Sequence, residues 1–315
     1  MMNLAQSPKL VRSLRSVEIS LPDVAAAEKF FCETWHLDIA HRAGGVVYLR
    51  GTGADHHLIS LRHSDTPALH AITLKATSSM ALDEILELTM QHGGRVLKTK
   101  HEIQDAGGGE AITIVDPQGR VLQIVYGDVS HANSEPDALV NADKPIRLAH
   151  AVLNSMDVAA VMPFYENVLG FKLSDRTKIM AFIRIPQGES THGMGDHHSI
   201  ALADADNNCL NHIAFVMPTL ESVMRGGGRM RDAGFEIEWG PGRHGPGDNA
   251  FNYFVGPAGF VIEYTAEVEQ IDDSYVAGGP ADWKWPTGRV DQWGISAPPS
   301  SKLKQAQREI SFIKP

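Results

Sequence analysis

The stretch Gly53-Ala54-Asp55-His56-His57-Leu58-Ile59-Ser60-Leu61 returns later in the chain as Met194-Gly195-Asp196-His197-His198-Ser199-Ile200-Ala201-Leu202. His70, in A-L-H-A-I-T-L, follows His57 by thirteen residues, and His212, in L-N-H-I-A-F-V, follows His198 by fourteen. Further on, D-P-Q-G-R-V-L-Q-I-V-Y at 116–126 is answered by G-P-A-G-F-V-I-E-Y-T at 256–265. A period of about 140 residues is far longer than a solenoid repeat, so the repeated unit is a domain and the fold is present twice.

Each copy carries the same predicted order of elements. A strand (residues 15–21 and 147–153) leads to an aspartate N-cap and a helix, Asp23 to His36 and Asp157 to Leu169. Strands near 45–50, 58–63 and 68–75 follow in the first copy, and near 181–185, 198–203 and 210–216 in the second. An amphipathic helix comes next, over 79–92 and 220–233, ended by glycine at the left-handed cap. Strands near 111–115, 121–126, 251–255 and 260–265 complete the copies, and the order is read as βαβββ twice per copy. Gly226-Gly227-Gly228 is a poor helix former and predicts an interruption in the last helix.

Divided this way, the 315 residues give a first domain at 10–130, a polar linker at 131–145, a second domain at 146–270 and an irregular tail at 271–315. The tail holds three of the five tryptophans, which predicts aromatic anchoring onto a domain, and its last fifteen residues read as disordered or wrapped around a neighbour. An apolar content of 43% suffices for real cores, while a net charge of −10 argues against nucleic acid or an anionic membrane as partner. Small molecules become the expected ligands. Cys32 and Cys209 are too few and too far apart for a disulfide framework or a cysteine zinc site. With no apolar leader and no membrane-length stretch, the expectation is a cytoplasmic protein.

Function concentrates in the second copy. Glu263 sits inside the apolar run F-V-I-E-Y, and a buried carboxylate needs a partner that offsets its desolvation, a metal cation being among the few that can. His150 in R-L-A-H-A-V-L and His212 in L-N-H-I-A-F-V lie on strands of the same kind. Two imidazoles and one carboxylate suggest a 2-His-1-carboxylate iron site. A glycine- and proline-broken loop before Glu263 carries His244, and the next strand carries Tyr253. A lone histidine in a strand is usually structural; the joint spacing is what points to a metal.

These residues resemble the vicinal oxygen chelate superfamily and, within it, the two-domain type I extradiol ring-cleaving dioxygenases, over roughly residues 10–270. That family's signature, from a glycine-preceded histidine through a tyrosine and a P-x-G turn to the ligand glutamate, is matched by Gly242-Arg243-His244, Tyr253, Pro257-Ala258-Gly259 and Glu263. Asn252 and Gly256 depart from it and mark a divergent subgroup. The resemblance implies an α+β fold of two tandem vicinal oxygen chelate domains, each a pair of βαβββ modules forming an incomplete barrel. It implies Fe(II), or Mn(II), held by His150, His212 and Glu263, and a homo-oligomer that inserts both atoms of O2 into a small aromatic diol. His198 becomes the acid/base, with His197 as its competitor, which strand alternation turns to the opposite face. His244 and Tyr253 become hydrogen-bonding partners of substrate oxygens, on a loop able to close. Asp248 and Asn249 either polarise that set or cap a turn, and His56, His57, His63 and His192 are taken as surface or structural. In the first copy Glu18, His70 and Gln123 align with the ligands, so that copy is expected to be structural. The competing readings are another metal-dependent isomerase or thiol transferase of the same superfamily, and a metal-free binding protein.

Overall fold

In the computed structural model, residues 9–131, 143–186 and 193–314 are described; most of the linker, and His192, lie outside them. Two eight-stranded mixed sheets carry the architecture. The first uses β1 (Val11–Leu21), β2 (Asp38–Ala43), β3 (Val46–Arg50), β4 (Ile59–His63), β5 (Ala68–Ala76), β6 (Arg95–Glu102), β7 (Glu110–Val115) and β8 (Val121–Tyr126), in the spatial order β2-β3-β4-β1-β5-β8-β7-β6. The second uses β9 (Arg147–Ser155), β10 (Lys172–Arg176), β11 (Met180–Arg184), β13 (Ile200–Asp204), β14 (Leu210–Val216), β15 (Trp239–Arg243), β16 (Ala250–Val255) and β17 (Val261–Ala266), in the order β10-β11-β13-β9-β14-β17-β16-β15. A small pair, β12 (Gly195–Asp196) with β18 (Gln270–Ile271), sits beside it. Each sheet is open, and each is two βαβββ modules joined at their first strands, as the resemblance implies.

Within the two large sheets, the four strands absent from the ranges read in the sequence are β2, β6, β10 and β15, which are their edges. An edge strand has one neighbour and is largely solvated, so its side chains need not alternate; β2 and β6 are mostly exposed along their length. The N-caps behave as read: Asp23 and Asp157 accept from backbone amides at the starts of α1 (Val24–Lys29) and α3 (Val158–Leu169).

Two expectations are corrected. Between α2 (Ser79–Gln91) and the tail, α4 (Leu220–Asp232) runs unbroken through its three glycines. A Cβ on Gly226 would stand 2.7 Å from the Tyr264 ring and one on Gly227 2.9 Å from Asn252, so these glycines let the helix lie close on the sheet. Residues 301–314 are ordered: α5 (Ser301–Ala306) buries Leu303 and Ala306 against Phe251, Tyr253 and Val261. Beyond it, Leu210 N–H donates to Ile310 and Leu69 N–H to Ser311, so the tail ties a strand of one sheet to a strand of the other.

A shared apolar core joins the two copies. Trp35, fully buried, stacks on Tyr264 with ring centroids 3.6 Å apart, and Tyr264 donates to the Trp35 carbonyl. Ala151, Leu153, Ile213, Phe215, Ile262 and Tyr264 of the second sheet all face this core. Strand alternation therefore turns His150, His212 and Glu263 to the opposite face. Among the described residues no helix is long and apolar enough to cross a membrane.

Candidate metal centre

The three central strands β9, β14 and β17 position the site. Ala214 on β14 pairs with His150 on one side and with Glu263 on the other, while His212 lies two residues back along the same strand. Because Ala214 is small, the space between its neighbours is left to their side chains. Glu263 Oε2 lies 3.2 Å from Nε2 of both His150 and His212, and the two Nε2 atoms are 3.4 Å apart. All three side chains are buried, Glu263 completely.

This donor set fits a divalent cation. Two ligand atoms about 2.1 Å from one ion and at right angles to each other stand about 3.0 Å apart, close to the spacings found here. Burial works against the Glu263 carboxylate, but the three surrounding imidazoles outweigh it and hold the carboxyl well below its ordinary range. Burial likewise pulls His212 down to about 4, against Glu263. A neutral imidazole at His212 beside an ionised carboxylate at Glu263 makes two ready-made ligands. Among the described residues this is the one such His/Cys/Asp/Glu cluster.

The remaining predicted side chains meet at the same place. His244 Nε2 is 3.0 Å from the Tyr253 hydroxyl, which is 3.4 Å from His212 Nε2, and the His198 ring lies over His150 with centroids 4.3 Å apart. His244 stacks on Phe251 at 4.0 Å, with Trp239 at its edge. Burial, then Glu263, pushes the Tyr253 phenol well above its ordinary value, so it stands as a donor. Burial, then His150 and His197, holds His198 well below its ordinary value, as a neutral ring.

Sequence reasoning misplaced His197. It lies beside His198, with the two Nδ1 atoms 3.1 Å apart, because residues 197–199 form a bend and β13 begins only at Ile200, so strand alternation does not apply. Asn249 is fully buried and donates to Thr265 at 2.7 Å and to Glu263 Oε1 at 3.4 Å, which places it beside the cluster. Asp248 instead faces Gln292 of the tail. Two further residues carried no sequence signal: Asn211, whose Oδ1 is 2.8 Å from His212 Nδ1, and Asp175, 2.6 Å from His197 Nε2. Beside the His244 turn, a cavity of about 390 Å³ is lined by Gly245, Asp248, Tyr275, Trp283 and Gln292. The tail tryptophans thus pack against this turn, a Cβ on Gly245 being 2.5 Å from Trp285.

The profile of the Glyoxalase/Bleomycin resistance protein/Dioxygenase superfamily matches residues 147–264, which contain His150, His212 and Glu263. The Mn(II)-bound glyoxalase from Novosphingobium aromaticivorans has the same fold, with a TM-score of 0.83 and 30% identity over 93% of this chain and 94% of the other. The chain belongs to this superfamily. Metapyrocatechase 2 of Cupriavidus necator is 29% identical over 215 residues, which is 61% of this chain and 63% of that relative's length. The iron-dependent extradiol dioxygenase of Rhodococcus jostii (strain RHA1) is 24% identical over 293 residues, covering 85% of this chain and 93% of its own.

As a tandem member of the superfamily, the chain contains its own comparison. In the first sheet, pairing places Ser16 at the position of His150, Ala71 at that of His212 and Gln123 at that of Glu263. Glu18 and His70, expected there from the sequence, fall two residues and one residue away. His70 is matched by Asn211, both bulged out of the pairing, because Leu61 to Leu69 and Leu202 to Leu210 are of equal length; the thirteen- and fourteen-residue spacings therefore mark different positions. None of the three equivalent side chains is a histidine or carboxylate. His56 and His57 are buried, while His63 is exposed.

Proposed function

We propose that the protein is an extradiol ring-cleaving dioxygenase, inserting both atoms of O2 into a catechol-type, hydroquinone or trihydroxylated ring. What carries this reading is one observation: the His150, His212 and Glu263 donors within 3.4 Å of each other, with His198, His244 and Tyr253 gathered around them. The names of the Cupriavidus and Rhodococcus relatives support it. His150, His212 and Glu263 would hold Fe(II) or Mn(II), whose chemistry is to bind a diol and O2 side by side and pass electrons between them.

The chain's own residues do the rest. Asn249 engages Glu263 Oε1, which leaves Oε2 turned to the two Nε2 atoms. His198, neutral and buried, takes the proton of a substrate hydroxyl and returns it to the oxygen released as the ring opens. Tyr253, with its proton retained, donates to a substrate oxygen, and His244 orients that hydroxyl through their 3.0 Å contact. Burial of this set excludes bulk water and strengthens each of these contacts. The first copy supports the fold without holding metal; two distant cysteines fit a reducing, cytoplasmic compartment, and the protein works as a homo-oligomer in aromatic catabolism.

Anaerobic reconstitution with Fe(II) or Mn(II), followed by oxygen and a panel of catechols and hydroquinones, tests the reading. Oxygen uptake with a yellow ring-fission product, lost in Glu263→Gln, is expected. Metal binding without oxygen uptake on any diol would move the chemistry to an isomerase or thiol transferase, and a protein that binds no metal would be a binding protein.

A further inference from the structure

His198 meets the metal centre with one ring nitrogen already engaged. Its Nδ1 is 3.1 Å from His197 Nδ1, and His197 Nε2 is 2.6 Å from Asp175 Oδ2. His197 and Asp175 are both fully buried. Two further donors converge on the same carboxylate, both from the tail: the Tyr275 hydroxyl on Oδ2 at 3.0 Å and the Gly278 N–H on Oδ1 at 2.6 Å. A Cβ on Gly278 would stand 2.7 Å from Asp175 Oδ1 and 2.8 Å from Trp283, so the approach requires the absence of a side chain.

An ionised carboxylate only accepts hydrogen bonds, so the ring nitrogen facing Asp175 carries a hydrogen. With its Nε2 hydrogen given to Asp175, His197 offers its Nδ1 lone pair to the facing His198 Nδ1, 3.1 Å away, which carries the hydrogen between them. The other nitrogen of His198 is left bare. We propose that Asp175 and His197 are positioning residues that fix His198 as its Nδ1–H tautomer and so present an Nε2 lone pair to the metal centre. The inference rests on the reading of His198 as the proton carrier.

The first copy supplies an internal contrast. Strand pairing, with the same bulge, places His41 where Asp175 stands. The histidine pair persists, His56 and His57 having their Nδ1 atoms 2.9 Å apart, but Arg15 Nη2 is 3.2 Å from His57 Nδ1. A guanidinium only donates, so His57 Nδ1 accepts, the reverse of the order derived for His198. The carboxylate that sets the tautomer therefore accompanies the copy that holds the ligand cluster.

The test is a long-range proton–nitrogen NMR spectrum of the full-length, metal-free chain with ¹⁵N-labelled histidine, in which His198→Gln identifies the His198 signals. In the wild type the hydrogen is expected on Nδ1. Asp175→Asn can turn its amide NH2 to His197 Nε2, which is expected to move the hydrogen of His198 to Nε2. With metal restored, kcat should fall roughly 10²- to 10⁴-fold while KM and metal content hold. Tyr275→Phe, which removes one of three donors, should keep the wild-type tautomer and a much smaller loss. A wild-type His198 with its hydrogen on Nε2 would overturn the proposal and needs no variant to fold; so would an unchanged tautomer in folded Asp175→Asn. Full activity in His198→Gln would instead sink the proton-carrier reading, whatever the tautomer.

Discussion

Asn211 stands between a ligating ring and the rest of the protein. Its Oδ1 faces His212 Nδ1 at 2.8 Å, which puts a hydrogen on that nitrogen and frees Nε2 for a cation. The amide is held in that sense by its own Nδ2, donating to Asn154 Oδ1 at 2.9 Å, and Asn154 in turn donates to Asn207 and to the Gln307 carbonyl. Asn211→Ala should therefore cost about 10- to 100-fold in metal affinity, measured by chelator competition. An unchanged affinity would mean that packing alone orients His212. A related outcome concerns the metal itself: at a free concentration 100 times its Kd, Mn(II) should raise unfolding free energy by about 2.7 kcal/mol, seen as a higher Tm, and Glu263→Gln should lose most of that rise. The clustered donors were legible because a carboxylate in an apolar strand is costly without a partner. Asn211 was not, since an amide beside a histidine is ordinary in sequence.

At the scale of elements, α4 separates intrinsic propensity from packing. Three successive glycines weaken a helix in isolation, yet α4 is continuous because Gly226 and Gly227 let it approach Tyr264 and Asn252. Gly228 faces open space. Gly228→Ala should stabilise the protein by about 0.5–1 kcal/mol. Gly226→Ala should destabilise it by about 1–3 kcal/mol, because the Tyr264 ring is pinned between the helix and Trp35 and has nowhere to move. Urea unfolding of the two variants would decide, and equal signs would refute the packing account. The edge strands make the same point from the other side. Buried strands were readable from their apolar runs, while β2 and β6 exist because a neighbour's backbone offers hydrogen bonds, which no side-chain pattern records.

Over the whole molecule, the D-P-Q-G-R turn of the first copy has become the joint between copies. Arg120 Nη1 bonds Asp116 at 2.6 Å, and its Nη2 reaches the Asn154 carbonyl of β9; both charged side chains are fully buried. Tyr165 of α3 donates to the same Asp116 carboxylate, and Gln118 reaches the Asp157 carbonyl. Arg120→Ala would leave Asp116 buried without its cation and should cost about 3–5 kcal/mol in chemical denaturation. A loss under about 1 kcal/mol would show that water or Tyr165 replaces the guanidinium. Since Asn154 also holds Asn211, the same variant should weaken metal binding, a coupling from first copy to ligand through Asn154, Asn211 and His212.

The sequence by itself determined the duplication, the inner strands and the three donors that cluster at the second sheet, because each of these is written in local terms: a repeated string, an apolar run, a charge where none is stable alone. It also determined that His244 and Tyr253 would share a site with Glu263, since they lie on one hairpin and the strand beside it. Only the tertiary structure decided the register of the first strand of the first copy, where Ser16 rather than Glu18 takes the place of His150. It alone seated the tail, whose Tyr275 and Gly278 close on Asp175 roughly a hundred residues earlier. Contacts between distant segments depend on how sheets stack and where chains cross, and those distances are set by the packed core as a whole.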